Sequence, residues 1–175
     1  EGVRAALTGT AAVQTRLRQA LEPLGARPFS LMTSVLEEQD AGFDWSSLLR
    51  TPGWVVLTSQ NGVECFFRAM DRAGADVRTL AGSRFAVIGP ATGEALRRHG
   101  ILADLCPPVH TTQGLAQALE GAAAPGEPVR LFRSALGARE LADRLAGRFL
   151  VEDVPLYRLR SDVTDREVLQ ARLGE

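Results

Sequence analysis

The sequence predicts an α/β protein built on a doubly wound parallel sheet. Short apolar, β-branched runs alternate with stretches whose apolar residues repeat near helical spacing, and only a few residues connect them. This alternation is typical of parallel strands covered by helices on both faces. Of the 175 residues, 45% are apolar and 23% are charged, which are globular values that exclude a disordered tail.

Residues 1–37 predict only the opening of a domain. An apolar run at 3–8 is a strand candidate, and helical spacing follows over 11–24. Gly25 would end that helix, and a second strand candidate covers 29–36. Two strands and one helix cannot cover both faces of a sheet, so this segment must pack against something else.

Residues 54–157 predict one complete domain, which follows a polar linker at 38–53 with a short helix near 45–49. The five strand candidates are 54–58, 85–88, 101–105, 129–132 and 149–157. The helix candidates between them are 60–73, 90–99, a helix capped by Thr112, and 136–147. Ser59 suits an N-cap, and Pro90 suits a first helical turn because its missing N–H would be unpaired there. Residues 158–175 begin a further segment, with a helix expected from Ser161.

Charge and composition exclude several classes of function. The 20 basic residues, all of them Arg, and the 21 acidic ones give a net charge of −1, whereas nucleic-acid binding needs a basic excess. A P-loop would need Lys, and neither G-x-G-x-x-G after a strand nor Gly-x-Ser-x-Gly occurs. No apolar run reaches the roughly 18 residues of a membrane span. The chain starts at Glu1 without an initiator Met or a signal peptide, so we expect a trimmed N terminus or a piece cut from a longer chain.

The cysteines and histidines carry no sequence signal for a metal site. Cys65 and Cys106 lack metal-ligand spacing, and we expect two buried free thiols in a reducing compartment. His99, at a predicted helix C terminus, and His110, in a Pro-flanked loop, have no partner in the sequence. Both are interpreted as structural or surface residues.

Hydroxyl residues and glycines collect where the predicted strands end. In such sheets ligands bind at the carboxyl ends of strands, where helix N termini offer free N–H groups. The candidate binding residues there are Thr8, Thr58, Ser59, Asn61, Gly62, Gly89, Ala91, Thr92 and Ser134. They suit an anionic ligand with several carboxylates, although helix caps and tight turns use the same residue types. Tyr157, the only Tyr, ends an edge-like strand, where it either packs at the rim or reaches a cleft.

Several segments, taken in order, resemble one known family. They read WVVLTSQNGV at 54–63, FAVIGPAT at 85–92, TQGLA at 112–116, LFRS at 131–134 and VPLYR at 154–158. The apolar run at 3–8 and the following Leu17, Leu21 and Gly25 also resemble the opening strand and helix of that family. Each motif is short, but their order and spacing over about 155 residues resemble the uroporphyrinogen-III synthases. That family has two similar α/β domains, each with a five-stranded parallel sheet, and its chain starts in one domain, builds the second and returns. The resemblance implies that only the second domain is complete here and that half of the cleft between domains is missing.

The resemblance also implies a reaction. The family cyclises the linear tetrapyrrole hydroxymethylbilane to uroporphyrinogen III, with inversion of ring D and loss of water, in heme, siroheme and cobalamin biosynthesis. It uses no metal or organic cofactor, and we expect a cytoplasmic monomer. Tyr157 matches the family's usual candidate for the proton donor. Thr58, Ser59 and Thr92 match positions that line the cleft.

Other interpretations remain open at this stage. The main alternative is a non-catalytic tetrapyrrole-binding or regulatory module of the same fold, because the cleft residues would serve both roles. A periplasmic-type solute-binding domain is disfavoured by the missing signal peptide and the free cysteines. A receiver domain would need clustered Asp residues at strand ends and a Lys, whereas this chain has Thr58 at such an end and no Lys.

Overall fold

The protein is described by a computed structural model that covers residues 3–137 and 139–163. Contacts divide the chain into two compact units. One contains residues up to Glu37 together with residues from Leu159 onward, and the other is Glu38–Arg158. Among the described residues, no helix has both the length and the apolar character needed to cross a membrane.

The first unit contains a strand, a helix and a second strand, as its sequence predicts. Strand β1 (Arg4–Gly9) is followed by helix α1 (Ala11–Leu21), a 3₁₀ turn (Glu22–Leu24) and strand β2 (Arg27–Glu38). Gly25 ends the helical region with a left-handed backbone, φ 80°. The two strands pair in parallel, with Arg4 opposite Arg27.

The second unit is a parallel sheet with helices on both faces. Its elements are α2 (Ser47–Arg50), β3 (Trp54–Leu57), α3 (Gln60–Arg72), β4 (Arg84–Val87), α4 (Pro90–Arg98), α5 (Thr112–Ala122), β5 (Pro128–Ser134), α6 (Arg139–Ala146) and the part of β6 (Leu150–Val163) up to Arg158. The strands lie in the order β6-β5-β3-β4, and each neighbouring pair is parallel. The predicted parallel α/β architecture is confirmed.

The segment 101–105 differs from its prediction, because it is not a full strand. It contributes one isolated bridge, between Leu105 and Ala86. The Asp104 carboxylate accepts the Phe85 N–H at 2.7 Å, and Pro107 and Pro108 follow without N–H groups to extend the pairing. The fifth position of the sheet is therefore reduced to this bridge.

Boundaries of other elements also differ from the sequence prediction. Thr111 rather than Thr112 caps α5, since its Oγ1 accepts the Gly114 N–H at 3.0 Å. Helix α6 begins at Arg139 rather than at residue 136. Residues 161–163, expected to start a helix, belong to β6, and residues 164–175 of that predicted helix lie outside the described residues.

Apolar residues fill both faces of the sheet because successive strand residues point to opposite sides. Trp54 and Val56 of β3 pack in a core that includes Leu115, Leu119, Leu141 and Leu145 of α5 and α6. On the other face, Phe132 of β5 packs edge-on against Phe66 of α3, 4.8 Å between ring centroids, and stacks on Trp45 at 5.8 Å.

The helices that connect the strands change from one face of the sheet to the other between β3 and β5. Helices α3 and α4 pack together, while α5 and α6 pack together in the core described above. The chain moves from β3 to β4 in one direction and returns to β5 on the other side of β3. This makes the β3–β5 boundary the topological switch point, where open α/β sheets bind ligands beyond the carboxyl ends of their strands.

The backbones of β3 and β5 approach each other closely at Gly53, and a substitution there tests this packing. A Cβ on Gly53 would overlap the Pro128 carbonyl oxygen at the start of β5, and the Gly53 carbonyl accepts the Arg84 N–H at 2.9 Å. We predict that Gly53→Ala lowers the free energy of unfolding by about 2–3 kcal/mol, because β3 and β5 must separate there. Chemical denaturation measures the change.

Gly121→Ala is the matched control for that substitution. Gly121 lies in α5, and a Cβ there meets nothing within 4 Å. The same chemical change should leave stability unchanged or raise it by up to about 1 kcal/mol. Equal effects at both glycines would contradict the proposed close approach.

Candidate functional site

The candidate site lies at the switch point and begins with the N terminus of α3. Ser59, two residues after the end of β3, is the N-cap of this 13-residue helix, and its Oγ accepts the Gly62 N–H at 2.9 Å. The cap leaves the other N–H groups of the first turn free, and the helix dipole makes this end attractive to anions. Ser59 and Gly62 thus have a helix-capping role in addition to any role in ligand binding.

Tyr157 of β6 reaches this helix end across 98 residues of sequence. Its hydroxyl lies 2.8 Å from Ser59 Oγ, and the residue is only 4% exposed. A Cβ on Gly62 would lie 3.1 Å from Ser59 Oγ and 4.0 Å from Tyr157 Cε1. Because Gly62 has no side chain, Ser59 and Tyr157 have room to form their hydrogen bond.

A β-bulge explains how Tyr157 comes to point at α3. The β5–β6 register pairs Arg133 with Pro155 and then Ser134 with Tyr157, so Leu156 is the extra residue. Pro155 has no N–H to donate, and prolines inside sheets are largely confined to edges and bulges. The extra residue stays satisfied, because the Leu156 carbonyl accepts the Gln39 N–H at 2.7 Å.

The bulge changes the side-chain alternation of β6. Leu156 lines a cavity with Ala69 and Ala73 of α3, and the next residue, Tyr157, also meets α3 through Ser59. In a regular strand, two consecutive side chains would point to opposite faces. A bulge can re-aim a side chain in this way, and here it directs the phenol to the helix N terminus.

The surroundings of Tyr157 keep its phenol protonated. Burial raises its pKa above the usual value, because desolvation disfavours the phenolate. The hydrogen bond with Ser59 acts in the opposite direction but does not cancel this effect. Tyr157 is therefore a neutral hydroxyl at physiological pH.

Two buried arginines on β5 are features that sequence reasoning missed. Arg133 pairs with Asp153 of β6 through Nε and Nη2, at 2.6 and 2.5 Å. Arg130 donates to the Thr51 carbonyl and to Thr51 Oγ1, at 2.9 and 2.7 Å. The sequence of β5 alone does not indicate that these arginines are buried, because the groups that pair with them lie on other elements.

A cavity of about 420 Å³ lies beside Leu156 on the α3 side of the sheet. Its wall contains the aromatic rings of Phe43 and Trp45 and the charged side chains of Glu38, Asp40 and Arg72. Burial opposes ionisation of Glu38, but hydrogen bonds from Arg68 and Arg72 outweigh it and hold the pKa of this carboxyl below its usual value. The cavity was not predicted from the sequence.

The other predicted site residues have the following positions. Thr58 and Asn61 are half-buried beside Ser59 at the start of α3, and Ser134 is opposite Tyr157 in the sheet. Gly89, Ala91 and Thr92 lie at a second helix N terminus, that of α4, after β4. Thr8 is exposed near the end of β1 in the other unit. The structure thus brings Ser59, Gly62, Ser134 and Tyr157 together, while Gly89, Ala91 and Thr92 occupy the end of the next strand.

The histidines and cysteines do not take part in the Ser59–Tyr157 hydrogen bond, although Cys65 lies near enough to Tyr157 to add to the raised pKa of the phenol. His99 stacks on Phe67, 3.9 Å between ring centroids, with its Nε2 3.3 Å from Glu64. His110 is exposed and packs against Gly89. Cys65 is buried, and burial raises the pKa of its thiol. Cys106 is exposed, so the expectation of two buried thiols was wrong; it follows the Leu105 bridge at the edge of the sheet.

Comparison with known proteins gives a consistent family. The family model described as "Uroporphyrinogen-III synthase HemD" matches residues 15–175. A "Porphyrin biosynthesis protein HemD" from Ruminiclostridium josui is 26% identical over 162 residues, which is 86% of this chain and 32% of that protein. A "Putative uroporphyrinogen-III synthase" from Methanothermobacter thermautotrophicus is 31% identical over 128 residues, covering 72% of this chain and 49% of that protein.

Solved structures support the fold. A mutant uroporphyrinogen III synthase from the extremely thermophilic bacterium Thermus thermophilus superposes with a TM-score of 0.69 at 20% identity, covering 92% of this chain and 64% of that one. The uroporphyrinogen-III synthetase of Helicobacter pylori gives a TM-score of 0.52 at 14% identity, covering 98% and 68%. The chain spans about a third of one curated relative, about half of the other, and about two thirds of the two solved structures. With a family model matching nearly all of its length, the chain belongs to the uroporphyrinogen-III synthase family.

Proposed function

We propose that this chain is part of a uroporphyrinogen-III synthase that cyclises hydroxymethylbilane, inverting ring D and releasing water, in tetrapyrrole biosynthesis. The observation that carries the proposal is the family match over residues 15–175. Because the chain spans only part of its relatives, the activity is proposed for the longer protein. We propose further that this protein is a cytoplasmic monomer.

The site chemistry supports this reaction. The substrate carries eight carboxylates, which the free N–H groups and positive dipole end of α3 would attract. Departure of the substrate hydroxyl as water needs a proton, and Tyr157 holds one at physiological pH. The pyrrole nitrogen of the ring that bears the hydroxyl supplies the electron pair that expels the water. Ring D then attacks the vacated carbon through its α-carbon that already carries the bridge to ring C, which gives a spiro intermediate. The bond from that α-carbon to the bridge breaks, the bridge carbon bonds to the free α-carbon of ring D, and the proton lost from this free α-carbon restores the phenol.

The proposed binding residues divide into two groups. Ser59, Gly62 and Ser134 surround Tyr157, and we propose that they position the reacting end of the substrate. Thr58 and Asn61 flank Ser59, while Gly89, Ala91 and Thr92 offer a second helix N terminus for carboxylates. Thr8, near the end of β1, is proposed as a further binding residue.

Tyr157→Phe in the full-length protein tests the proton donor. The variant keeps the ring and removes the hydroxyl, so we predict at least about a tenfold fall in turnover. Thr92→Ala should lower turnover less, because binding is spread over many contacts. The measurement is a coupled cyclisation assay that separates the ring-D-inverted product from the isomer without inversion.

Ser59→Ala is the matched control for Tyr157→Phe. It breaks the same hydrogen bond but leaves the phenol in place, at a cost of about 1 kcal/mol in helix capping. Turnover should therefore fall less than in Tyr157→Phe. Full activity of Tyr157→Phe would exclude Tyr157 from a catalytic role. If the unmodified protein binds the tetrapyrrole but does not close the ring, the result favours the non-catalytic module.

The raised pKa of Tyr157 predicts a pH dependence of stability. A tyrosine in the unfolded chain titrates near pH 10, and the folded phenol titrates above this. The stabilising contribution of the neutral phenol is therefore complete below about pH 10 and is lost as pH rises through the folded pKa. We predict that the free energy of unfolding falls more between pH 9 and pH 11.5 in the unmodified protein than in Tyr157→Phe. Urea denaturation series at the two pH values would give equal falls if burial had no effect on this group.

A further inference from the structure

Arg133 has every nitrogen of its guanidinium engaged at the end of β5. The residue is 5% exposed. Nε and Nη2 donate to the two carboxylate oxygens of Asp153, and Nη1 lies within hydrogen-bond distance of three carbonyl oxygens. These are Ser134 at 2.6 Å, Ala135 at 3.2 Å and Gly137 at 2.6 Å. A guanidinium occupied in this way has little capacity left for a substrate carboxylate, so its role lies in the contacts that it already makes.

These contacts enclose the bulge from both strands. Asp153 precedes Tyr157 by four residues on β6, and the Ala135 N–H donates to the Tyr157 carbonyl at 2.7 Å. Arg133 thus holds β6 through Asp153 and also holds the loop that binds the backbone of Tyr157. The register shift that turns Tyr157 toward α3 falls between these two attachments, directly after Arg133.

Apolar packing of the loop tip does not provide an alternative anchor. Leu136, between Ala135 and Gly137, is 81% exposed. The neighbouring carbonyls instead point to Arg133, which concentrates the ordering of this loop in one side chain. Removing that side chain would leave these carbonyls without this donor and Asp153 without its bidentate partner.

We propose that Arg133 is a positioning residue, which, through Asp153 and the 134–137 loop, fixes the bulge that brings the Tyr157 hydroxyl to Ser59. Its effect on turnover rests on the proposed function, whereas its effect on Tyr157 does not. The two effects are therefore measured separately.

Arg130 is a matched control on the same strand. It is 4% exposed, and it also combines an ion pair, with Glu152, and hydrogen bonds to a carbonyl. Its other partners are Thr51 and Ser47, which lie before the start of β3 and not at the carboxyl ends of the strands. Arg130→Met should destabilise the fold to a similar degree without disturbing Tyr157.

The experiment compares Arg133→Met, Arg133→Lys, Asp153→Asn and Arg130→Met in the full-length protein. The first readout is the phenolate absorption of Tyr157 against pH, with the matching Tyr157→Phe form subtracted. We expect Arg133→Met to move the titration midpoint toward pH 10 and Arg130→Met to leave it in place. Arg133→Lys keeps the positive charge but lacks the planar guanidinium that binds a carboxylate through two hydrogen bonds, so it should restore the titration midpoint only in part.

The second readout separates kcat from KM in the cyclisation assay. We expect Arg133→Met to lower kcat about tenfold or more with KM within about threefold of the original, because misplacing a reacting group affects the chemical step most. Asp153→Asn should show a smaller fall of the same kind, and it tests the proposal if Arg133→Met does not fold. Arg130→Met should keep kcat.

Two results would overturn the proposal. One is a folded Arg133→Met, or Asp153→Asn in its place, with the original Tyr157 titration. The other is an Arg130→Met protein with an equal shift of that titration, which would make the effect a general consequence of lost stability. If the unmodified full-length protein closes no ring, the proposed function fails, but the titrations still decide the role of Arg133.

Discussion

Pro155, which has no N–H to donate, precedes the bulge on which the candidate site depends. Pairing between β5 and β6 shifts by one residue directly after it, and this shift leaves Leu156 as a bulge. Both Leu156 and Tyr157 then meet α3, where regular alternation would have turned one of them away. The bulge that follows Pro155 thus brings together a phenol and a serine that are 98 residues apart in sequence.

Around this bulge, polar groups are buried in satisfied sets. The Tyr157 hydroxyl meets Ser59, the Tyr157 carbonyl accepts from Ala135, and the Leu156 carbonyl accepts from Gln39. Leaving a buried polar group without a partner costs more free energy than one hydrogen bond contributes. Moving one of these groups would therefore disturb the hydrogen bonds of the others. The apolar cores on the two faces of the sheet provide the rigid support, and the proposed chemistry uses hydroxyl and N–H groups that the fold already holds in place.

The sequence predicted most of the elements and the part of the site that depends on local rules. Ser59 was predicted to cap α3 because capping needs only neighbouring residues, and the parallel sheet followed from periodicity. Segment 101–105 was overestimated because an apolar run does not reveal that Asp104 and two prolines interrupt pairing. The bulge and the Arg133–Asp153 pair were missed because both depend on register between two strands, which no local pattern encodes.

A double-mutant cycle between Ser59→Ala and Tyr157→Phe tests the central claim most directly. It measures the free energy of unfolding for the unmodified protein, both single variants and the double variant at pH 8. If the bulge delivers the phenol to the helix cap, the two substitutions are coupled by about 1 kcal/mol, the net value of a buried hydroxyl hydrogen bond. Additive effects, with a coupling within about 0.3 kcal/mol of zero, would contradict the contact.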